Sequence, residues 1–590
     1  MSSDHADRHF ERADFDQDAR LALMTLMAVV IGLAATGGAW LLLAMIRLFT
    51  NLFFYQSLSL VQRSPAGHHL GAWVIAVPAL GGLIVGLMAR LGTDKIRGHG
   101  IPEAIEAILF GQSKMSPKVA VLKPLSSGIA IGSGGPFGAE GPIIMTGGAI
   151  GSLLAQFVRL SAAERKALLV AGAAAGMTAV FGTPLAAVLL AIEVLLFELR
   201  PRSLLPVGVA CAAAGFARPL LLEPGYLFAL TTGAGSPWLA LECLGAGLAS
   251  GVLAAGLSKA LYAIEDGFGR LPLHWMWWPA LGGLVVGVGG WLEPRTLGVG
   301  YDVIDALLHR QLPGGAALGL IAVKAVIWLV ALGSLTSGGV LAPVLTIGAG
   351  VGLLLSAIVP AQDAALWPLL CMAGVLGGVM HAPLMAAAFA FGLTGDASAL
   401  LPLLATTMVS YGCTVVLMRR SILTEKIARR GRHIWRETGV DPLERHAVEE
   451  WMSRAVQSIA GDTPVARALA EHFGAQQAHR AYPVLDAGRL VGMVDRAVLT
   501  AAPLASSCAA ACAEQPPAFA LPHETCRAAA TRMARLKLER LPVVADEASL
   551  RLVGLIARSD LVEPTLAHHH EEEVRERPRQ IEGLAWWSRR

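Results

Sequence analysis

Ser133 to Pro142 reads SGGPFGAEGP and places one ionisable side chain, Glu140, at the end of a glycine-rich turn in an otherwise apolar stretch. Ile143 to Val158 continues as an apolar segment, so the sequence predicts a helix whose first turn holds Glu140, Gly141 and Pro142. A helix N-terminus carries unpaired N–H groups and a partial positive charge. Inside a membrane, after a glycine-rich turn, such an end is an anion site, and Glu140 would sit where the anion sits. The plainer role is that the acid complements the helix dipole at a water-facing end.

A second copy of the pattern favours the anion site. Ser337 to Pro343 reads SGGVLAP; Pro142 is followed by Gly147 and Gly151, and Pro343 by Gly348 and Gly352 at the same spacings, an offset of 201 residues. Thr183-Pro184-Leu185 and Ala382-Pro383-Leu384 repeat at an offset of 199. Glycine- and proline-broken apolar segments at matching places in two halves point to a transport site between repeats. Only the first copy carries an acid.

A third candidate lies in Lys95 to Phe110, KIRGHGIPEAIEAILF, where Gly98 and Gly100 bracket His99 and Pro102 suits the first turn of a short helix from Ile101 to Leu109. His99 also fits a turn histidine near lipid headgroups. Glu193, in the apolar segment Pro184 to Phe197, is an intramembrane acid for which a pairing or functional role is the default expectation. Arg200 is placed to hold Glu198 near the aqueous end.

The elements that position these residues are membrane helices. The 590 residues are 54% hydrophobic and 15% charged, with 65 glycines and a mean hydropathy of +0.57, outside the range of ordinary soluble domains. Apolar segments follow one another from about 21 to 418, several of them short or interrupted. Trp275, Trp277 and Trp278 suit an interfacial belt. The basic residues Arg419, Arg420, Lys426, Arg429, Arg430 and Arg432 then place that end in the cytoplasm. The first twenty residues are polar, and no signal peptide is expected. Seven scattered cysteines argue against a disulfide framework or a zinc cluster, Cys508 and Cys512 reading as core thiols on one helix face. A net charge of +3 implies no nucleic-acid partner.

Beyond residue 432, Tyr482-Pro483-Val484 with Leu490-Val491-Gly492 recurs as Leu541-Pro542-Val543 with Leu552-Val553-Gly554, which fits a duplicated α/β unit over about 448–499 and 508–562. Residues 566–590 read as a charged, solvated tail in which His568 to His570 could capture a metal.

Taken together, GHGIPE at 98 to 103, GAEGP at 138 to 142, GVLAP at 339 to 343 and SILTEKIARRG at 421 to 431 resemble the CLC family of chloride channels and chloride/proton exchangers, over about residues 20 to 432. The duplicated C-terminal unit resembles a pair of CBS modules. The resemblance implies a polytopic α-helical membrane protein with inverted repeats (about 21–222 and 233–432) and broken helices. It further implies a homodimer with one path per subunit for chloride and other small anions. Carried over by position, Glu140 matches the gating glutamate. Gly98, His99, Gly100, Ile101, Pro102, Gly138, Ala139, Gly141, Pro142, Gly339, Val340, Leu341, Ala342 and Pro343 match the anion-binding segments. His99 stands where many members have serine, and Leu423 where many have a tyrosine hydroxyl. Val194 falls on the inner proton site, where many exchangers carry an acid, and Glu193 matches a neighbouring structural acid. In the CBS pair Asp560 has the spacing of a ribose-holding aspartate, but Ala557 replaces the usual hydroxyl residue and Val498 the aspartate of the first module. The expectation is one weak adenine-nucleotide site or a purely structural role, with no other cofactor.

Enzyme classes fit poorly. Gly392-Leu393-Thr394-Gly395-Asp396 lacks a glycine of the intramembrane aspartyl protease motif, and His523-Glu524 is followed by Arg527 where a zinc protease needs histidine. A nucleotide sensor anchored in the membrane would not require duplicated broken helices. The expectation is anion transport across the cell membrane gated by Glu140, channel-like or weakly proton-coupled, with stoichiometric chloride/proton exchange as the alternative.

Overall fold

The structure is a computed structural model that describes residues 20–566, apart from 199, 234–236, 359–362, 433, 435–441, 475–476, 478, 513–516 and 565. The charged tail and His568 to His570 therefore lie outside the described residues, as do the first nineteen. The described chain divides into two compact units, one ending at Ile427 and the other beginning at Ala428.

The first unit is wholly helical: α1 (Arg20–Tyr55), α2 (Ala76–Leu91), α3 (Ile101–Leu109), α4 (Pro117–Gly132), α5 (Glu140–Gln156), α6 (Ala162–Phe181), α7 (Pro184–Leu190), α8 (Pro201–Leu221), α9 (Leu239–Gly269), α10 (Trp278–Leu292), α11 (Tyr301–Leu308), α12 (Gly314–Gly333), α13 (Leu341–Ile358), α14 (Leu366–Met380), α15 (Pro383–Thr394), α16 (Leu400–Leu417) and α17 (Ile422–Arg429). Among the described residues seven helical stretches are long and apolar enough to cross a membrane. Others, such as α3, α7 and α15, are too short, and non-helical backbone at such depth persists only where protein covers it.

From α2 to α16 the order runs through one set of elements twice, α2 to α8 and then α10 to α16, and the two sets share their internal bonds. Lys123 on α4 donates to the carbonyls of Ile96 and Gly98, and Lys324 on α12 to those of Thr296 and Gly298, every distance between 2.8 and 2.9 Å. The Gly98 N–H meets the Leu335 carbonyl at 3.1 Å, and the Gly298 N–H meets that of Gly134 at 3.0 Å. Each set thus ties its loop to the other. Close helix crossings use the repeated glycines. A Cβ on Gly147 of α5 would lie 2.9 Å from the Gly172 carbonyl carbon of α6, and one on Gly348 of α13 would lie 2.8 Å from the Cys371 carbonyl oxygen of α14.

After α7 the chain widens into a π turn, Ala191–Leu196, which ends at Phe197 with φ +55°. The sequence predicts a continuous helix there. Glu193 and Val194 lie in this turn, and such turns cluster at functional sites.

The second unit contains two small sheets. In one, β1 (Ile459–Ala460) runs parallel to β2 (Ala481–Asp486), which pairs antiparallel with β3 (Arg489–Asp495); in the other, β4 (Arg540–Val544) pairs antiparallel with β5 (Leu552–Ala557). Helices Val465–His472, Arg496–Ala501 and Cys508–Cys512 accompany the first sheet, and Cys526–Leu536 the second. Separate apolar cores, around Tyr482, Val484 and Val494 and around Met533, Leu541 and Ile556, underlie them. Cys508 is in the first core, whereas Cys512 at the edge of the same helix is only half-buried. Burial pushes the Cys526 thiol up to about 12.

Candidate anion site

Three helix N-termini meet at the centre of the first unit. The loop before α3 holds Gly98 and Gly100 at φ +72° and +90°, conformations that favour glycine. Its Gly98 carbonyl accepts from the Gly338 N–H at 3.4 Å, and the Gly339 N–H donates to the Gly138 carbonyl at 3.0 Å in an isolated antiparallel bridge. Gly141 lies against the other two loops: a Cβ there would sit 3.1 Å from the His99 carbonyl carbon and 3.5 Å from Gly339 Cα. The loops before α3, α5 and α13 are therefore continuous, and the sequence-predicted segments come together. Gly98, Gly100, Ile101, Pro102, Gly138, Ala139, Gly141, Pro142, Gly339, Val340, Leu341, Ala342 and Pro343 are all buried there.

Glu140 is fully buried. Its Oε1 accepts from the Leu341 N–H, while Oε2 is buried with no partner among the described residues. Leu341 is the 201-residue counterpart of Glu140, so the acid of one repeat caps the N-terminus of the matching helix in the other. A carboxylate there uses the N–H group and dipole that would hold an anion. Glycine makes the space: a Cβ on Gly138 would lie 2.7 Å from the Glu140 carboxyl carbon.

His99 is buried, at 2% exposure, between its two glycines. Below it Lys123 completes its bonding with Ser337 Oγ at 3.0 Å, and Ser126 and Ser127 reach the same oxygen at 3.2 and 2.9 Å. Three acceptors use all three ammonium donors.

One basic residue is not where the charge pattern places it. Lys426, counted with the cytoplasmic cluster, is buried at 6% exposure and pairs with buried Glu103 at 3.6 Å. Helix α17 turns its Lys426 edge inward because Glu103 of α3 supplies a counter-charge, and burying a lysine without one is costly. Leu423 is buried one turn earlier on α17, and the hydroxyl of Tyr262 donates to the Ile422 carbonyl of that helix.

Val194 is fully buried. Glu193 accepts from the N–H groups of Leu384 (3.2 Å) and Met385 (2.8 Å), capping α15. Glu198 meets Lys166 at 3.3 Å, Arg200 at 3.7 Å and the Ser203 hydroxyl at 2.8 Å, so it has Arg200 as expected and two further partners. In the second unit Asp560 accepts from the Ala557 N–H at 2.8 Å and from the Ser559 hydroxyl at 3.2 Å. The corresponding turn of the first module uses Asp495, which accepts from the Val498 N–H at 2.8 Å.

Sequence reasoning missed Lys123, Lys324 and Tyr301. The lysines carried a usable signal, an ammonium in the middle of an apolar segment at an offset of 201 residues. Tyr301 carried none, since a tyrosine after a glycine pair is unremarkable in a membrane protein.

Broken helices in two copies, directed with their N-termini at a buried centre, define a membrane transport protein for anions. The family described as voltage gated chloride channel matches residues 81–414, and the CBS domain matches 448–503 and 510–564. The chain is 30% identical over 423 residues to the voltage-gated ClC-type chloride channel ClcB of Citrobacter koseri, covering 69% of this chain and 99% of that one. It is also 30% identical over 429 residues to the ClcB channel of Escherichia coli, 70% of this chain and 99% of that one. Among solved structures it is similar to a slow cyanobacterial Cl-/H+ antiporter (TM-score 0.61, 21% identity, 70% of this chain and 99% of that one). A eukaryotic CLC transporter is also similar (TM-score 0.62, 18% identity, 92% and 98%). These two likenesses show the fold. The chain belongs to the voltage-gated chloride channel (CLC) family, multi-pass membrane proteins that transport anions, and it carries a C-terminal CBS pair.

Proposed function

We propose that this protein moves chloride, with other small monovalent anions, across the cell membrane through the site where α3, α5 and α13 begin, and that Glu140 gates it. The carrying observation is the Glu140 carboxylate on the Leu341 N–H. A carboxylate so placed competes with a permeant anion, and its protonation removes the competing charge. His99 and the amides of Val340 and Leu341 are the proposed contacts of the central anion, with Gly98, Gly100 and Gly339 giving access to backbone. Leu423 offers no hydroxyl. A homodimer with the CBS pair in the cytoplasm follows from the family reading and the basic run after α16.

Channel-like or weakly coupled transport is the preferred mechanism, because Val194 is a buried aliphatic side chain where an exchanger would take up a proton from inside. Stoichiometric exchange is the second reading. It is favoured by similarity to a structure titled as a Cl-/H+ antiporter and to one titled as a CLC-type fluoride/proton antiporter (TM-score 0.56, 22% identity, 67% and 96%). Purified protein in liposomes should release chloride once a potassium ionophore relieves charge build-up, and absence of anion flux at every pH would refute the proposal. The reversal potential under a proton gradient separates the mechanisms: it follows chloride alone for a channel and shifts with pH for an exchanger. Replacing chloride by nitrate or fluoride gives the selectivity.

For the CBS pair the structural role is preferred. Asp560 already spends its carboxylate on its own turn, which leaves a weak adenine-nucleotide site as the lesser reading. Calorimetry with ATP, ADP and AMP, repeated on Asp560→Ala, tests it.

A further inference from the structure

Glu140 Oε2 is not the only buried polar atom at this centre without a hydrogen-bond partner among the described residues. The hydroxyl of Tyr301 is also buried with no hydrogen-bond partner among the described residues. Tyr301 lies on α11, which packs against α13, the helix whose N-terminus Glu140 caps, and Glu140 is the charged group that bears on the phenol. A buried hydroxyl left unbonded is costly, and a fold keeps one only for a reason.

Tyr301 opens α11 in the second repeat, where the loop Gly298-Val299-Gly300 copies Gly98-His99-Gly100 and Lys324 copies Lys123. Its counterpart in the first repeat is Ile101. The ring is fixed by aromatic neighbours: Phe181 at 6.4 Å and 80°, and Phe228 at 6.1 Å and 64°. Phe181 in turn packs edge-on against Phe389 at 5.1 Å. Apolar rings hold the phenol in place while giving its hydroxyl nothing to bond.

We propose that Tyr301 is a positioning residue for Glu140, its hydroxyl receiving the carboxyl group when that group leaves the Leu341 amide. This rests on the gating role proposed above for Glu140. A phenol can donate to the carbonyl oxygen of a neutral carboxylic acid and accept from its O–H, a reciprocal pair suited to the protonated form. A carboxylate prefers the amide and the helix dipole at Leu341. Tyr301 therefore stabilises the protonated, displaced state. The other ionisable groups facing this centre are engaged: Lys123 and Lys324 with loop carbonyls, Glu103 with Lys426, and Asp302 with the Ser64 hydroxyl at 3.0 Å. His99, whose carbonyl lies against Gly141, also faces this centre.

The test is chloride flux against pH in liposomes for the full-length protein, Tyr301→Phe, Glu140→Gln and the double variant. Tyr301→Phe keeps the ring and removes one hydrogen bond, about a three- to tenfold change in the seated-to-displaced equilibrium. Because the lost bond favours the protonated state, more acid is needed to displace Glu140. The midpoint of activation should move down by about half to one pH unit. In the Glu140→Gln background the same substitution should change nothing. An unmoved or raised midpoint overturns the proposal, and so does an equal slowing in both backgrounds, which would place Tyr301 on the anion path itself. If Glu140→Gln keeps the wild-type pH dependence, the gating reading fails first. Should Tyr301→Phe not assemble, infrared difference spectra of the wild type between neutral and acid pH, with ring-labelled tyrosine, read the same contact. A tyrosine band that appears with the protonated carboxyl and vanishes in Glu140→Gln supports it; absence of that band overturns it.

Discussion

The two repeats share a scaffold and differ in the side chains that could do chemistry. Lys123 and Lys324 hold the same pair of loop carbonyls, Gly147 and Gly348 permit the same close crossing, and Gly98 and Gly298 each bond across to the other repeat. Yet Glu140 is matched by Leu341, His99 by Val299 and Ile101 by Tyr301. Duplication supplies two sets of broken helices, and the site arises where one repeat keeps a polar group and the other keeps only its backbone. The Leu341 amide is available to Glu140 because Leu341 brings no side-chain charge of its own.

This difference can be probed by substitution, beginning with the largest effect. Lys426 lies on α17, beyond the two matched helix sets α2 to α8 and α10 to α16. Lys426→Met leaves Glu103 buried without its cation, and removing one member of a buried pair costs about 3–5 kcal/mol. The protein should lose thermal stability in detergent, and adding Glu103→Gln should restore much of it. An unchanged melting midpoint for Lys426→Met would show that the pair is solvated.

The matched lysines come next. Lys123→Met and Lys324→Met each strip two buried carbonyls of their donor, at about 1–3 kcal/mol for an unsatisfied group. Both should destabilise, Lys123→Met somewhat more because Ser337 also loses a partner. Flux per folded protein should fall for Lys123→Met alone, since only that loop carries His99. Equal flux losses would mean that both loops contact the anion. The smallest effect belongs to the CBS unit: Asp560→Ala removes the turn bond from the Ala557 N–H and an exposed one from the Ser559 hydroxyl, together about 1 kcal/mol, and should lower the melting midpoint slightly without altering flux.

The sequence made the fold legible where the physics is local. Clustered glycines and a proline in the first helical turn mark helix starts, so the repeated SGG and proline landmarks marked α5, α13, α7 and α15 directly. The loops before α3, α5 and α13 were equally readable as glycine-rich turns that open into helices. Pairing across the fold was not. Lys426 reads as one of six basic residues after α16, and only the distant Glu103 draws it inside. The π turn at Val194 depends on Glu193 reaching α15, nearly two hundred residues away, and no local pattern announces it. Tyr301 acquires meaning only from the Phe181 and Phe228 rings and the charge of Glu140.

The central claim is that Glu140 competes with the permeant anion at the Leu341 N-terminus. It is tested most directly by comparing chloride efflux over a range of pH for the wild type and Glu140→Gln in the same liposomes. Glutamine has nearly the volume of the acid and carries no charge, so it mimics the protonated state. The account predicts that wild-type flux rises on acidification, whereas the variant conducts at neutral pH and responds little to acid. A variant that retains the wild-type rise with acid would contradict it.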